Sequence, residues 1–278
     1  MTGPVTVHVM SGLGNRMRAL CGAAVLADRW GRRLEYRWPV GRGFEPRLDQ
    51  LWTTPWTPVG PARALTRRLG GERHTERLEA LDTTTSRPLY IRTKHALRLP
   101  AGFDDWGTAL RRAAVVEEVA RRVETTWAGL QAEPYVGVMV RAHALAHDKT
   151  KDASPIGWYV DRLRRIREEH PSIPFFVSTD DPSAVSLLAD EFDDVRAQDD
   201  KGRYNSVEGV QAAVADLYLL ASSAHIVGPY WSSFVTMAEK LAPGVGSENS
   251  RGLTGPSMPG PGALTRAADP LRPWERAG

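Results

Sequence analysis

Hydrophobic and polar residues alternate through "VTVHVM" (residues 5–10), the period-two pattern of a β-strand. "SGLGNR" follows, and "MRALCGAAVLADRWGR" then spaces its apolar residues as a helix does. "RLEYRW" predicts a second strand. Strand, glycine loop, helix and strand form the opening unit of an α/β fold. Residues 40–85 are rich in Pro, Gly, Trp and Arg and predict no clear element. "RPLYIRT" predicts another strand, and "TALRRAAVVEEVARRVETTWAGL" (residues 108–130) one amphipathic helix.

The same alternation of elements then resumes. "VGVMV" (136–140) is a β-branched strand that delivers Arg141 at its carboxyl end. "SPIGWYVDRLRRIREEH" predicts a helix, "PFFVSTDD" a strand, and "PSAVSLLADEF" a helix with Pro182 at a permitted early position. "SVEGVQAAVADLYLLASS" predicts a mostly buried helix, "AHIVGPY" a strand, and "SSFVTMAEKLA" a helix opened by serines. Alternating strands and helices imply a mainly parallel sheet. The pattern breaks near "LQAEP", which divides the chain into α/β domains at 1–130 and 131–243. Residues 244–278 are loaded with Gly, Pro, Ser and Asn and read as a flexible tail.

Composition narrows the function. The 278 residues are 42% hydrophobic and 25% charged, so the chain is globular. A net charge of +3 is too small to argue for nucleic acid. Lys and Arg total 36, and only five of them are Lys. Arginine suits bidentate phosphate contacts, although a GC-rich genome gives the same bias. The single Cys21 excludes an internal disulfide and a cysteine zinc site. "MTGPVTVHVMSG" has neither a basic n-region nor an apolar h-region, and no apolar run reaches a membrane span's length. A cytoplasmic protein is expected.

The candidate chemistry sits at strand-to-helix junctions. Gly12 and Gly14 in "GLGNR" permit backbone N–H groups to approach an anion, and Asn15 and Arg16 can donate beside them. Met17 stands where a dinucleotide fingerprint has its third glycine. A tight turn explains the glycines equally well. Arg141 ends a strand, which is the ligand edge of an open α/β sheet. His143 and His147 are each a general base or a solvated loop histidine, and Asp148 belongs to the same polar run. Asp180 and Asp181 end another strand, where a carboxylate caps the next helix or accepts from a nucleotide. Asp216 lies in "AAVADLYLLA"; a buried carboxylate there needs donors, from the protein or from a guanine edge. Ser232 and Ser233 cap a helix whose amino end can also take a phosphate.

In this order, "GLGNRMRAL", "GVMVRAH", "FFVSTDD" and "NSVEGVQAAVADLYLLASSAHIVGPYWSSF" resemble the α1,6/protein O-fucosyltransferase superfamily, with its nodulation-type and small bacterial members. The resemblance covers the first motif and nearly all of the second half. It implies a GT-B fold, with two facing Rossmann-like domains and an inter-domain cleft. It also implies inverting, metal-independent transfer of a hexose, fucose above all, from a GDP-sugar. No cofactor is implied besides that co-substrate, and the acceptor would be a small molecule or a glycan. Matched residue by residue, Arg141 is the arginine at the donor diphosphate and Asp216 the carboxylate at guanine. Ser232 and Ser233 lie near the phosphates, Asp180 ends the "TDD" strand, and Gly12, Gly14 and Asn15 form the amino-terminal loop.

The family's H-x-R-R-T-D is here Met139-Val140-Arg141-Ala142-His143-Ala144. The second Arg and the Thr-Asp are lost, so His143, His147 and Asp148 share candidacy as base, His143 first. Two other readings stand beside this one: an NAD-dependent oxidoreductase, and a non-catalytic nucleotide- or sugar-binding protein. The Trp-rich stretch at 30–60 suits acceptor contacts or core packing.

Overall fold

A computed structural model describes residues 2–82, 84–130, 133–142 and 152–276. The chain forms two compact units, Met1–Val116 with Asn205–Val207, and Glu117–Tyr204 with Glu208–Gly278.

In the first unit the strands are β1 (Val5–Val9), β2 (Leu34–Arg37), β3 (Trp52–Thr53), β4 (Thr57–Pro58), β5 (Glu72–His74), β6 (Leu89–Thr93) and β7 (Ala114–Val115). The helices are α1 (Leu13–Arg29), α2 (Pro61–Gly70) and α3 (Gly107–Arg111). The main sheet runs β4-β2-β1-β6-β5 with every pairing parallel. Both faces of β1 are covered, so its valines and Thr6 are fully buried, as in a parallel sheet's central strand. Small residues let α1 lie close to its neighbours: a Cβ on Gly22 would stand 3.1 Å from Leu97 Cβ.

The stretch 108–130, expected as one helix, is broken. β-Branched Val115 pairs with Trp52 in an antiparallel bridge, and the Val116 N–H donates to Leu51 O. Only after that does α4 (Glu117–Gly129) begin, in the second unit. The boundary therefore falls at 116/117 rather than 130. Trp127 of α4 packs edge-on against Tyr135, and Tyr135 against Phe176, which ties this helix to the second sheet.

The second unit continues with β8 (Val136–Val140), α5 (Ile156–Glu169), β9 (Phe175–Thr179), α6 (Pro182–Glu191), β10 (Val195–Arg196), α7 (Val207–Ser222), β11 (His225–Val227), α8 (Ser233–Leu241), β12 (Gly246–Asn249) and β13 (Gly252–Thr254). Its sheet order is β10-β9-β8-β11-β12-β13, parallel except for β13. Numbered within the unit this is 3-2-1-4-5-6, the order of a dinucleotide-binding sheet. α5 buries Tyr159, Leu163 and Ile166 at helical spacing against β8 and β9. Gly137 allows α7 its close approach: a Cβ there would come within 2.9 Å of Leu220 Cδ2 and 3.0 Å of Ser223 Oγ.

Residues 244–276 are not a tail. β12 extends the sheet beside β11, β13 returns antiparallel, and Ala267 N–H donates to Ser222 O at 3.0 Å. Pairing supplies what the polar composition hides, because Ser247 and Glu248 are buried with partners: Arg162 Nε donates to Glu248 Oε1 at 2.7 Å.

Candidate functional site

The strand order of the second unit reverses between β8 and β11, and in open α/β sheets ligands bind at the carboxyl ends of such strands. Arg141 follows β8 at that point. Its Nη1 lies 3.3 Å from Asp180 Oδ2, and the neighbouring Ala142 N–H donates to Asp180 Oδ1 at 2.9 Å. One carboxylate at the end of β9 thus holds both the guanidinium and the backbone that follows β8. Asp181 is a helix cap, accepting from Ser183 N–H at 3.0 Å to start α6.

On the other side of the reversal, β11 leads through "GPYW" to α8. Ser232 caps that helix, its Oγ accepting from the Phe234 and Val235 N–H groups at 3.2 Å each. The same hydroxyl donates to Met139 Sδ at 3.2 Å, so the side chain near the end of β8 touches the cap directly. Ser233 is the half-buried first residue of α8. The sequence gives no warning of the neighbouring Trp231. It takes φ 68°, stacks on Tyr230 at 5.3 Å and stays 67% exposed, a strained and solvent-facing aromatic at the ligand edge. The Tyr230 N–H donates to Ser154 Oγ, and Arg251 lies over the Tyr230 ring at 4.3 Å.

Asp216 is buried, and protein donors compensate it. Ser178 Oγ donates at 2.8 Å, Gln198 Nε2 at 2.6 Å and Lys201 Nζ at 2.5 Å. Lys201 also donates to Thr179 O, which joins α7 to the end of β9. These are the protein donors that burial of the carboxylate calls for. Lys201, one of only five lysines, was the overlooked member.

In the first unit, Gly12 and Gly14 lie where β1 gives way to α1, at that sheet's own point of reversal between β1 and β6. Gly12 has ordinary backbone angles, and a Cβ on it would meet nothing within 4 Å; the left-handed residue is Ser11, at φ 76°. Asn15 Nδ2 donates to Ser11 Oγ, and its Oδ1 accepts from Arg18 at 2.6 Å. Arg16 is not poised as a donor-binding group. It is buried between Trp38 and Phe44, and donates to Ser11 O at 2.6 Å and Pro39 O at 2.5 Å. Burial lowers its pKa to about 10, still charged at neutral pH, which is why it takes two carbonyls as partners. Trp38 and Trp52 are buried, so core packing accounts for both.

His143, His147 and Asp148 lie outside the described residues. Among the described residues, no group of three or more His, Cys, Asp or Glu is placed to hold a metal ion. None of their helices is long and apolar enough to cross a membrane. A cavity of about 510 Å³ lined by Pro134, His170, Ile173 and Arg196 opens at the amino ends of β8 and β9, the edge opposite Arg141.

No family model and no curated protein sequence matches this chain. Solved structures do. A NodZ α-1,6-fucosyltransferase soaked with GDP-fucose is 17% identical, with a TM-score of 0.63 over 88% of this chain and 94% of that one. Arabidopsis thaliana FUT1, a mutant in complex with GDP, is 16% identical, with a TM-score of 0.58 over 98% of this chain and 74% of that one. POFUT1 in complex with GDP-fucose is 11% identical, with a TM-score of 0.56 over 85% and 94%. The common property is the fold: two Rossmann-like α/β units of the GT-B type.

Proposed function

We propose that this protein is a glycosyltransferase that moves a hexosyl group, fucose or a close relative, from a GDP-sugar to an acceptor hydroxyl. The observation that carries the reading is Arg141, anchored by Asp180 at the reversal point of a dinucleotide-type sheet. The fold shared with proteins solved with GDP-fucose or GDP supports it.

In this mechanism the acceptor oxygen attacks the anomeric carbon from the face opposite the diphosphate. The bond from that carbon to the diphosphate oxygen breaks, and its electron pair leaves with GDP. Arg141 offsets the charge that develops on the departing phosphate, and its planar fork suits two phosphate oxygens at once. Asp180 fixes the fork in place before the reaction, so little reorganisation is needed as charge builds. The Ser232-capped amino end of α8 adds a second positive pole on the same edge. A base takes the acceptor's proton; His143 is two residues beyond Arg141 in the chain, and His147 and Asp148 follow. No metal is assigned a part.

Recognition of guanine through Asp216 requires an exchange, because Ser178, Gln198 and Lys201 already occupy the carboxylate. The base is therefore the part of the donor to test first. Calorimetry against GDP-, UDP-, dTDP- and ADP-sugars should give binding with the GDP compounds. Binding of a UDP- or dTDP-sugar with no GDP compound binding would overturn the donor assignment.

A further inference from the structure

The carboxyl edge of the first sheet carries a charged cluster that donor chemistry does not use. His8 of β1 is in register with Arg37 of β2 and with Arg92 of β6. In-register residues of neighbouring strands point to one face, so the three stand in a row. One pleat back on the same face, Thr6 is flanked by Glu35 and Tyr90. His8 Nδ1 lies 2.9 Å from Tyr90 Oη, and Tyr90 packs against Ala64 of α2 and against Val59.

The acid on this face is already engaged. Glu35 is fully buried and takes Arg33, Arg63 and Arg67, at 2.7, 2.7 and 2.8 Å. Arg37, Arg92 and Arg68 of α2 have no carboxylate within ion-pair distance among the described residues. All three act on both His8 and Tyr90. Burial first, and then Arg92, Arg37, Arg16 and Arg68, lower the His8 pKa to about 4, so the imidazole is neutral at neutral pH.

Exposed arginines are commonly no more than a solvated face. These differ in position and arrangement. The row spans β1 and β6, the two strands between which the sheet order reverses, and it stands at their carboxyl ends. Like charges gathered around a neutral imidazole and a phenol repel one another until an anion joins them. A phosphate suits the set, because guanidinium forks give bidentate contacts to its oxygens.

We propose that Arg37, Arg68 and Arg92, around the His8–Tyr90 pair, bind a phosphate group carried by the acceptor. This rests on the glycosyltransferase reading, because it assigns the first unit to the acceptor. The acceptor class is then a phosphorylated sugar or a sugar-diphosphate carrier, the product of a preceding phosphoryl- or phosphosugar-transfer step.

The test compares wild type with the double variant Arg37→Ala/Arg92→Ala, the first half-buried and the second exposed, with the urea midpoint as a check on folding. Binding of inorganic phosphate, a hexose 1-phosphate, the matching neutral hexose and GDP is measured by calorimetry, and the His8 ring nitrogens are followed by NMR. Expected are hexose phosphate binding tighter than the neutral hexose, His8 signals that move with either phosphate compound, and at least a tenfold loss of both in the double variant. GDP affinity should stay unchanged. Phosphate binding equal to wild type in the variant would overturn the proposal. So would GDP affinity that falls alongside it, which would give the row to the donor, and so would binding of inorganic phosphate alone, an adventitious ion only. Failure of GDP to bind wild type would count against the donor reading and leave the phosphate comparison intact.

Discussion

Glu35→Gln is the most quantitative probe of the first unit. Glu35 is fully buried, and burial alone would raise its pKa. Hydrogen bonds and charges from Arg67 and Arg63 outweigh that, and hold it at about 2 against an ordinary 4.5. A folded-state pKa below the unfolded value means that stability is fully present above pH 4.5 and is lost as pH falls towards 2. A fall from 4.5 to about 2 corresponds to about 3 kcal/mol at pH 7, and partial exposure of the arginines trims this to about 2–3 kcal/mol. By pH 3 about 2 kcal/mol of it should be gone. Urea unfolding of wild type and Glu35→Gln at pH 7 and pH 3 reads this directly, because other carboxylates titrate in both proteins and cancel. The wild type should be the more stable by about 2–3 kcal/mol at pH 7, with the gap narrowing by most of that at pH 3. A gap that is constant with pH would refute the argument, since it would mean that the ionised carboxylate contributes nothing beyond its shape.

Arg141→Ala should lower donor turnover by at least ~10²-fold and leave the urea midpoint near wild type; wild-type turnover would remove its role at the diphosphate. For His143→Ala, kcat should fall by roughly 10²-fold, and a value within a few-fold of wild type would pass the base to His147 or Asp148. Lys201→Met leaves Asp216 buried with two neutral donors, so a loss of about 3 kcal/mol in urea unfolding is expected, and an unchanged midpoint would contradict the pairing. Gly137→Ala pushes a methyl against Leu220 and Ser223 and should cost about 1–3 kcal/mol; a neutral result would mean that α7 can shift outward.

Local sequence determined the strands and helices that have their own period or cap. "VTVHV", "FFVST", the Asp181 cap before Pro182 and the Ser232 cap before α8 all form where nearest-neighbour chemistry directs them. It also determined that Arg141 ends a strand, and so stands at a sheet's ligand edge. Tertiary structure decided the rest, because those outcomes depend on partners far away in the chain. Helical spacing continued through residues 108–130, yet pairing of Val115 with Trp52 broke it. Gly- and Pro-rich composition argued for a tail after 243, yet β11 offered an open edge that β12 fills. Arg16 read as a ligand group because "GLGNR" joins a strand to a helix, yet Trp38 and Phe44 close over it. Asp216 needs donors on grounds of burial alone, but only the fold brings Lys201 and Gln198, distant in local pattern, beside it. A one-dimensional pattern records what each residue prefers locally; only packing determines which charges meet, and therefore which remain available for a ligand.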